Sequence, residues 1–225
     1  DTMGHPESMF PDRSQWIEKL GAERRKIAAV RRFDVDDGVP FELVVDLVGR
    51  QLSKDAIVTL DAGTFAAPAY RVIAFQPPQR LIAPISGAMG FGVPAAVAAS
   101  LREPDRDVIC FVGDGGLLMT GNELAVAMER KLPLKIIVSE NQMYGSIKIH
   151  QEQCYPGRSV GTNFVNPDLD LIGRAYGFTT TRISNVSQLT QLTDVLNAPG
   201  PQFDIVDTSV KAILPKPVRV RDAAE

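Results

Sequence analysis

Cysteine and histidine are scarce in this chain: its 225 residues hold two of each. Cys110 lies inside an apolar run and Cys154 stands alone in a polar one. Neither a CxxC metal or redox pair nor a disulfide framework can be built from them, and a reducing, cytoplasmic setting fits. An excess of one charge is also missing. The 24 Lys+Arg against 27 Asp+Glu leave a net charge of -3, and no basic stretch could follow a phosphate backbone, which argues against nucleic acid as a partner. Residues 1–7 lack the charged and apolar regions of a signal peptide, and the absence of an initial Met suggests a trimmed chain or a fragment. The uncharged stretch 81–101 is interrupted by Pro84, Gly87, Gly90, Gly92 and Pro94, so it reads as strand, glycine turn and helix rather than a membrane span. Internal repeats and low-complexity tracts are absent as well.

What is present is alternation. Runs rich in branched residues at 57–61, 81–84, 108–112, 134–139, 179–183 and 203–208 predict strands. Helical spacing predicts helices over 42–52, 66–75, 94–102, 122–131, 169–176 and 188–197. The central runs "VICFV" and "LKIIV" are apolar on both faces, as expected for strands covered on both sides. The expected fold is α/β, a doubly wound, mainly parallel sheet of about six strands with helices on both faces. It should span residues 40–210. Residues 1–39 contain a charged amphipathic helix whose Trp16, Ile17, Leu20 and Ile27 need a surface to cover, as at the end of a preceding domain or in a linker. Residues 211–225 read as a surface tail.

Ligands of such sheets bind beyond the carboxyl ends of the strands. There the sequence places "DAGT" (61–64), "PISGAMGFG" (84–92), "GDGG" (113–116) and "ENQMYG" (140–145), all small or polar enough for close backbone approach. Asp114 offers a carboxylate at one strand end and Asn141 an amide oxygen at the next, 27 residues later. Asp beside Gly is also ordinary turn chemistry. Together, however, the two side chains suit Mg²⁺, which takes about six oxygens at roughly 2.0–2.1 Å and draws the rest from water and phosphate. A glycine turn at 113–116, with a helix opening near Gly121, would add backbone N–H groups for an anion.

"GDGG" followed by helix, strand and "ENQMYG" resembles the cofactor motif of thiamine diphosphate enzymes. "SGAMGFGVPAAVAAS" resembles the glycine-rich segment of their acetolactate synthase branch, and the likeness covers roughly residues 40–210. It implies the C-terminal, diphosphate-binding domain of such an enzyme, with thiamine diphosphate and Mg²⁺ as cofactors. By resemblance the metal ligands would be Asp114, Asn141 and the Met143 carbonyl. Gly113, Gly115, Gly116, Tyr144 and Gly145 would meet the diphosphate, mainly through backbone. Met89, flanked by Gly87 and Ala88, would be the wedge that bends the cofactor, and Gly63 and Thr64 would border it.

Three positions depart from the family pattern. Glu140 replaces the first Asn of the usual pair and must find a cation or solvent. Gly116 stands where relatives often carry Ser or Ala. Pro84 and Ile85 differ from the usual synthase residues. The activating Glu that relatives carry in a pyrimidine-binding domain has no place here, so the resemblance implies a fragment that is inactive alone and completed by such a domain of the same or a partner subunit, in a homodimer or homotetramer. The whole enzyme would decarboxylate a 2-oxo acid such as pyruvate and transfer the carbanion to a second carbonyl. A 2-oxo acid decarboxylase or other carboligase would use the same motifs; a non-catalytic nucleotide or phosphate-binding module is the alternative of another class. His150, in what reads as a polar loop, could reach substrate. His5 and Cys154 carry no predicted role.

Overall fold

The computed structural model describes residues 12–31 and 33–213. His5, the first residues of the chain and the tail beyond 213 lie outside the described residues. Within them, an N-terminal helix α1 (Ser14–Ala28) precedes α2 (Phe41–Gln51), β1 (Ile57–Leu60), α3 (Ala66–Val72), β2 (Arg80–Ile82), α4 (Gly92–Arg102) and β3 (Val108–Gly113). The chain continues through α5 (Asp114–Thr120), α6 (Leu124–Glu129), β4 (Leu134–Glu140), α7 (Gly145–Cys154), α8 (Leu169–Tyr176), β5 (Thr179–Ile183), α9 (Gln191–Asn197) and β6 (Gln202–Asp207).

The six strands form one sheet in the order β2-β1-β3-β4-β6-β5, and every pairing is parallel. The doubly wound α/β expectation therefore holds. β3 is buried along its whole length and β4 along all but its last residue, which is why their sequences are apolar without alternation. One core lies under α4, α5, α6 and α8, built on Cys110, Val112, Ile136, Val138 and Phe203. The other lies under α2, α3 and α9, built on Val58, Phe111, Ile137 and Val206. α2 turns Phe41, Val44, Val45 and Val48 to the sheet, the i, i+3, i+4, i+7 stripe of an amphipathic helix. α8 begins where the Asp168 carboxylate accepts from the N–H groups of Asp170 and Leu171 at 3.0 and 3.1 Å. It ends at Gly177, whose φ of 96° only glycine adopts freely.

Two segments differ from the sequence expectation. The turn expected at 113–116 is the first turn of α5, which starts at Asp114 rather than near Gly121; a short 3-10 turn at Gly121–Glu123 then leads into α6. The stretch after Tyr144, expected as a loop, is the helix α7. On α1, Trp16, Ile17, Leu20 and Ile27 are all exposed. That helix is tied to the end of α3 by the Arg24 guanidinium, which donates to the Arg71 carbonyl at 2.8 Å.

The strand order fixes where a ligand can sit. From β1 the chain runs outward to β2, whereas β3, beside β1 on its other flank, leads to β4 on the far side. Loops leaving neighbouring strands in opposite directions open a crevice at the carboxyl ends of β1 and β3.

Candidate cofactor-binding site

That crevice is a cleft of ≈ 250 Å³ between the segment after β1, the loop before α4, the start of α5 and the start of α7. Asp114 is buried at its floor. Its Oδ1 accepts from the Gly115 N–H at 2.8 Å, and its Oδ2 accepts from the N–H groups of Asn141 and Gln142 at 2.9 and 2.7 Å. One carboxylate thus pins the loop after β4 to the end of β3. Asn141 Oδ1 in turn accepts from the Met143 N–H at 3.1 Å, leaving the amide oxygen a second lone pair. Between them Gln142 sits at a φ of 53°, left-handed backbone for a residue with a side chain. Such strain persists only where the surroundings impose it. Here a short antiparallel contact imposes it: the Tyr144 N–H donates to the Thr162 carbonyl at 2.8 Å, and the Phe164 N–H to the Gln142 carbonyl at 3.0 Å. The Tyr144 and Phe164 rings pack with centroids 4.8 Å apart. Asp114, Asn141 and Met143 consequently line the same cleft.

The cleft walls approach too closely for side chains at several positions. A Cβ on Gly115 would fall 2.8 Å from the Tyr144 ring and 3.2 Å from Met89 Cε; one on Gly113 would fall 2.8 Å from the Phe65 ring. On Gly63 it would lie 2.4 Å from that same ring, and on Gly145 3.1 Å from Thr64 Oγ1. The structure brings Gly63, Thr64, Gly87, Met89, Gly113, Gly115, Tyr144 and Gly145 to the cleft.

Two predicted residues are placed elsewhere. Ala88 is exposed and does not line the cleft. Gly116 is buried on the side of α5 that faces β1, where a Cβ would come within 2.9 Å of the Asp61 carboxyl carbon. Because the helix starts at Asp114, Gly116 is turned away from the ligand side. His150, on α7, is exposed and is also not among the cleft-lining residues.

Three polar residues escaped the sequence reading. Asn166 Nδ2 donates both to Asp114 Oδ2 at 3.0 Å and to Glu140 Oε1 at 2.9 Å. Arg182 supplies the cation that Glu140 needs, with Nη1 2.7 Å from Oε2, and it also pairs with Asp207. Burial works against the Arg182 charge, but the hydrogen bonds and attraction of Glu140 and Asp207 outweigh it and hold the guanidinium above its ordinary pKa. Asp61, at the end of β1, is fully buried and, among the described residues, bonds only to backbone N–H groups. No local pattern marks these pairings, since the partners are brought together from distant strands and loops.

The family model for the thiamine pyrophosphate enzyme, C-terminal TPP binding domain, matches residues 61–203. The chain belongs to this family. The domain is 28% identical over 207 residues to an acetolactate synthase large subunit of Lactococcus lactis, covering 91% of this chain and 36% of the relative. It is 35% identical over 173 residues to the acetolactate synthase isozyme 1 large subunit of Escherichia coli, covering 70% of this chain and 29% of the relative. For the isozyme 2 large subunit of Escherichia coli the identity is 32% over 168 residues, covering 73% and 31%. The domain thus spans about a third of the length of these curated relatives.

The donor set of the cleft fits a hard cation beside a diphosphate. Among the described residues no group of three His, Cys, Asp or Glu side chains could hold a metal. A cation here would instead meet one carboxylate, one amide oxygen and one backbone carbonyl, a set that leaves room for phosphate and water oxygens. The walls at Gly63, Gly113 and Gly115, where a Cβ would collide with the Phe65 or Tyr144 ring, form the cradle an anion would approach.

Proposed function

We propose that this domain holds thiamine diphosphate through Mg²⁺ within a longer enzyme resembling acetolactate synthases. Asp114, Asn141 and the Met143 carbonyl would hold the ion. Gly115, Tyr144 and Gly145 would hold the diphosphate, and Met89, standing over Gly115, would support the ring end. The observation that carries the reading is the convergence of Asp114, Asn141 and Met143 on one glycine-walled cleft at the sheet's switch point.

Bound thiamine diphosphate would supply the electron sink that lets a 2-oxo acid such as pyruvate lose carbon dioxide and its remaining carbons join a second carbonyl. The chain's own contribution is positional. The Asp114 carboxylate fixes the loop after β4, the N–H groups that open α7 at Gly145 would face the anion, and the Phe65 and Tyr144 rings line the cleft. The activating Glu, a pyrimidine-binding domain and a second subunit would complete the site. A 2-oxo acid decarboxylase or another carboligase would make the same demands on this domain. Among the described residues no helix is long and apolar enough to cross a membrane, and the free thiols of Cys110 and Cys154 suit a cytoplasmic enzyme.

Calorimetry on the full-length protein tests the cofactor. Thiamine diphosphate with Mg²⁺ is expected to bind and ADP with Mg²⁺ not to, and Asp114→Ala should lower the thiamine diphosphate affinity at least about a hundredfold. Binding of ADP alone would favour the nucleotide-module reading. Unchanged affinity in Asp114→Ala would remove the metal assignment. Product analysis with pyruvate, with and without 2-oxobutanoate, then separates carboligation from simple decarboxylation.

A further inference from the structure

Asp61 is a charged residue type set where the structure offers it no cation. It is fully buried at the end of β1 and belongs to no salt bridge among the described residues. Burying a carboxyl is costly unless its oxygens are well hydrogen-bonded. These are: Oδ1 accepts from the N–H groups of Ala62 at 2.6 Å and Gly90 at 3.0 Å, and Oδ2 accepts from that of Gly92 at 2.9 Å. Two of the three donors belong to the glycine loop that carries Met89.

That loop is gripped from the other side as well. The Thr120 hydroxyl, at the end of α5, donates to the Gly90 carbonyl at 2.8 Å. Gly90 has a φ of 82°, and a Cβ there would meet Thr120 Cγ2 at 3.1 Å. A Cβ on Gly92 would lie 3.0 Å from Asp61 Cβ. The backbone immediately after Met89 is thus fixed by its N–H on β1 and by its carbonyl on α5. The Met89 methyl reaches to within 3.2 Å of where a Gly115 Cβ would be, so the position of the loop sets how far this side chain stands over the floor of the cleft.

We propose that Asp61 is a positioning residue for Met89. Its carboxyl, together with the Thr120 hydroxyl, locks the 90–92 backbone and thereby sets the width of the cofactor cleft. The proposal rests on the thiamine diphosphate reading for its functional consequence. Its geometric part stands apart from that reading.

The experiment uses full-length protein carrying Asp61→Asn, Thr120→Val or Met89→Ala, and the double variants of each of the first two with Met89→Ala. Thiamine diphosphate affinity at saturating Mg²⁺ is measured by calorimetry, and backbone amide exchange by mass spectrometry without cofactor. Asp61→Asn is expected to weaken the cofactor about tenfold and Thr120→Val about threefold, each through a lost hydrogen bond. Amides of segment 87–92 should exchange faster, with those of 139–145 unchanged. Added to Met89→Ala, either substitution should cost little more, because residues that act through a common partner are not additive. Full additivity would show that Asp61 only stabilises the fold and would overturn the proposal, as would unchanged exchange at 87–92. If Asp61→Asn does not fold, Thr120→Val carries the same cycle from a half-buried position. Should the wild-type protein fail to bind thiamine diphosphate, the functional reading falls, whereas the exchange data still decide whether Asp61 braces the loop.

Discussion

Arg182 reaches across β6 to place its Nη1 2.7 Å from Glu140 Oε2. β5 and β4 are not neighbours, so this ion pair bridges a whole strand, and it pairs with Asp207 of the intervening β6 on the way. It lets a carboxylate occupy position 140, one residue before the proposed metal ligand Asn141. Arg182→Ala should destabilise the domain by about 1–2 kcal/mol, a figure reduced for the partial exposure of the guanidinium. In a Glu140→Asn background the same substitution should cost less than half as much. Urea unfolding of the four proteins in a double-mutant cycle checks this, and equal costs would mean that Glu140 does not depend on Arg182.

Asn166 ties that outer pair to the floor of the cleft, since a single nitrogen donates to both Asp114 and Glu140. Partners behind a metal ligand typically change metal affinity 10–100-fold when removed. Asn166→Ala should therefore weaken binding of Mn²⁺, read by electron paramagnetic resonance in the presence of thiamine diphosphate, by about tenfold. Asn166→Asp should also lower the melting temperature, because it sets a third carboxylate beside Asp114 and Glu140. An unchanged Mn²⁺ affinity in Asn166→Ala would show that the three backbone N–H groups of Gly115, Asn141 and Gln142 suffice to hold Asp114.

Gly116 is the place where relatives' Ser or Ala should fail in this chain. A Cβ would fall 2.9 Å from Asp61 Cγ and Oδ1, and the carboxyl cannot step aside without releasing Gly90 and Gly92. Gly116→Ser is expected to cost about 1–3 kcal/mol of stability by overpacking. Thermal unfolding measures it, and a variant as stable as wild type would mean that α5 shifts readily.

Asp204 predicts how stability varies with pH. It lies fully buried in β6 and belongs to no salt bridge among the described residues. Burial pushes its pKa up to about 7, only partly offset by the Thr181 hydroxyl and the Lys135 ammonium. The folded state therefore binds this proton more tightly than the unfolded chain does. The contribution of Asp204 to stability is full below about pH 4 and is lost as the pH rises through 7. Between pH 5 and 8 the loss should be on the order of 2–3 kcal/mol. Urea unfolding at both pH values should show this slope in wild type and not in Asp204→Asn. Equal slopes would place the titration elsewhere.

The sheet was legible because its strands are buried on both faces, and the chemistry of that burial is written in runs such as "VICFV". α8 was legible at both ends because Asp168 and Gly177 are strong start and stop signals. α5 was not, since Asp-Gly-Gly is poor helix sequence and only the packing of Leu117 and Gly116 against the sheet makes it helical. α7 is polar with few buried positions, so its periodicity carried little. At the site, Asp114 and Asn141 could be proposed from the sequence because each directly follows a strand, whereas Met143 came from the family resemblance alone. Asp61, Asn166 and Arg182 could not, because their roles depend on partners 25 to 52 residues away that only the fold brings into reach.

The β3–β4 ladder pairs Gly113 with Ser139 in strict register, and this recasts the interval between Asp114 and Asn141. Their separation is measured across adjacent strands, about 4.8 Å apart, and not along the 27 residues that join them. Lengthening or shortening the surface turn between α6 and β4 would change the count and leave the two oxygens where they are. Slipping the ladder by a single residue would keep the count and change the one-residue offset between the pair.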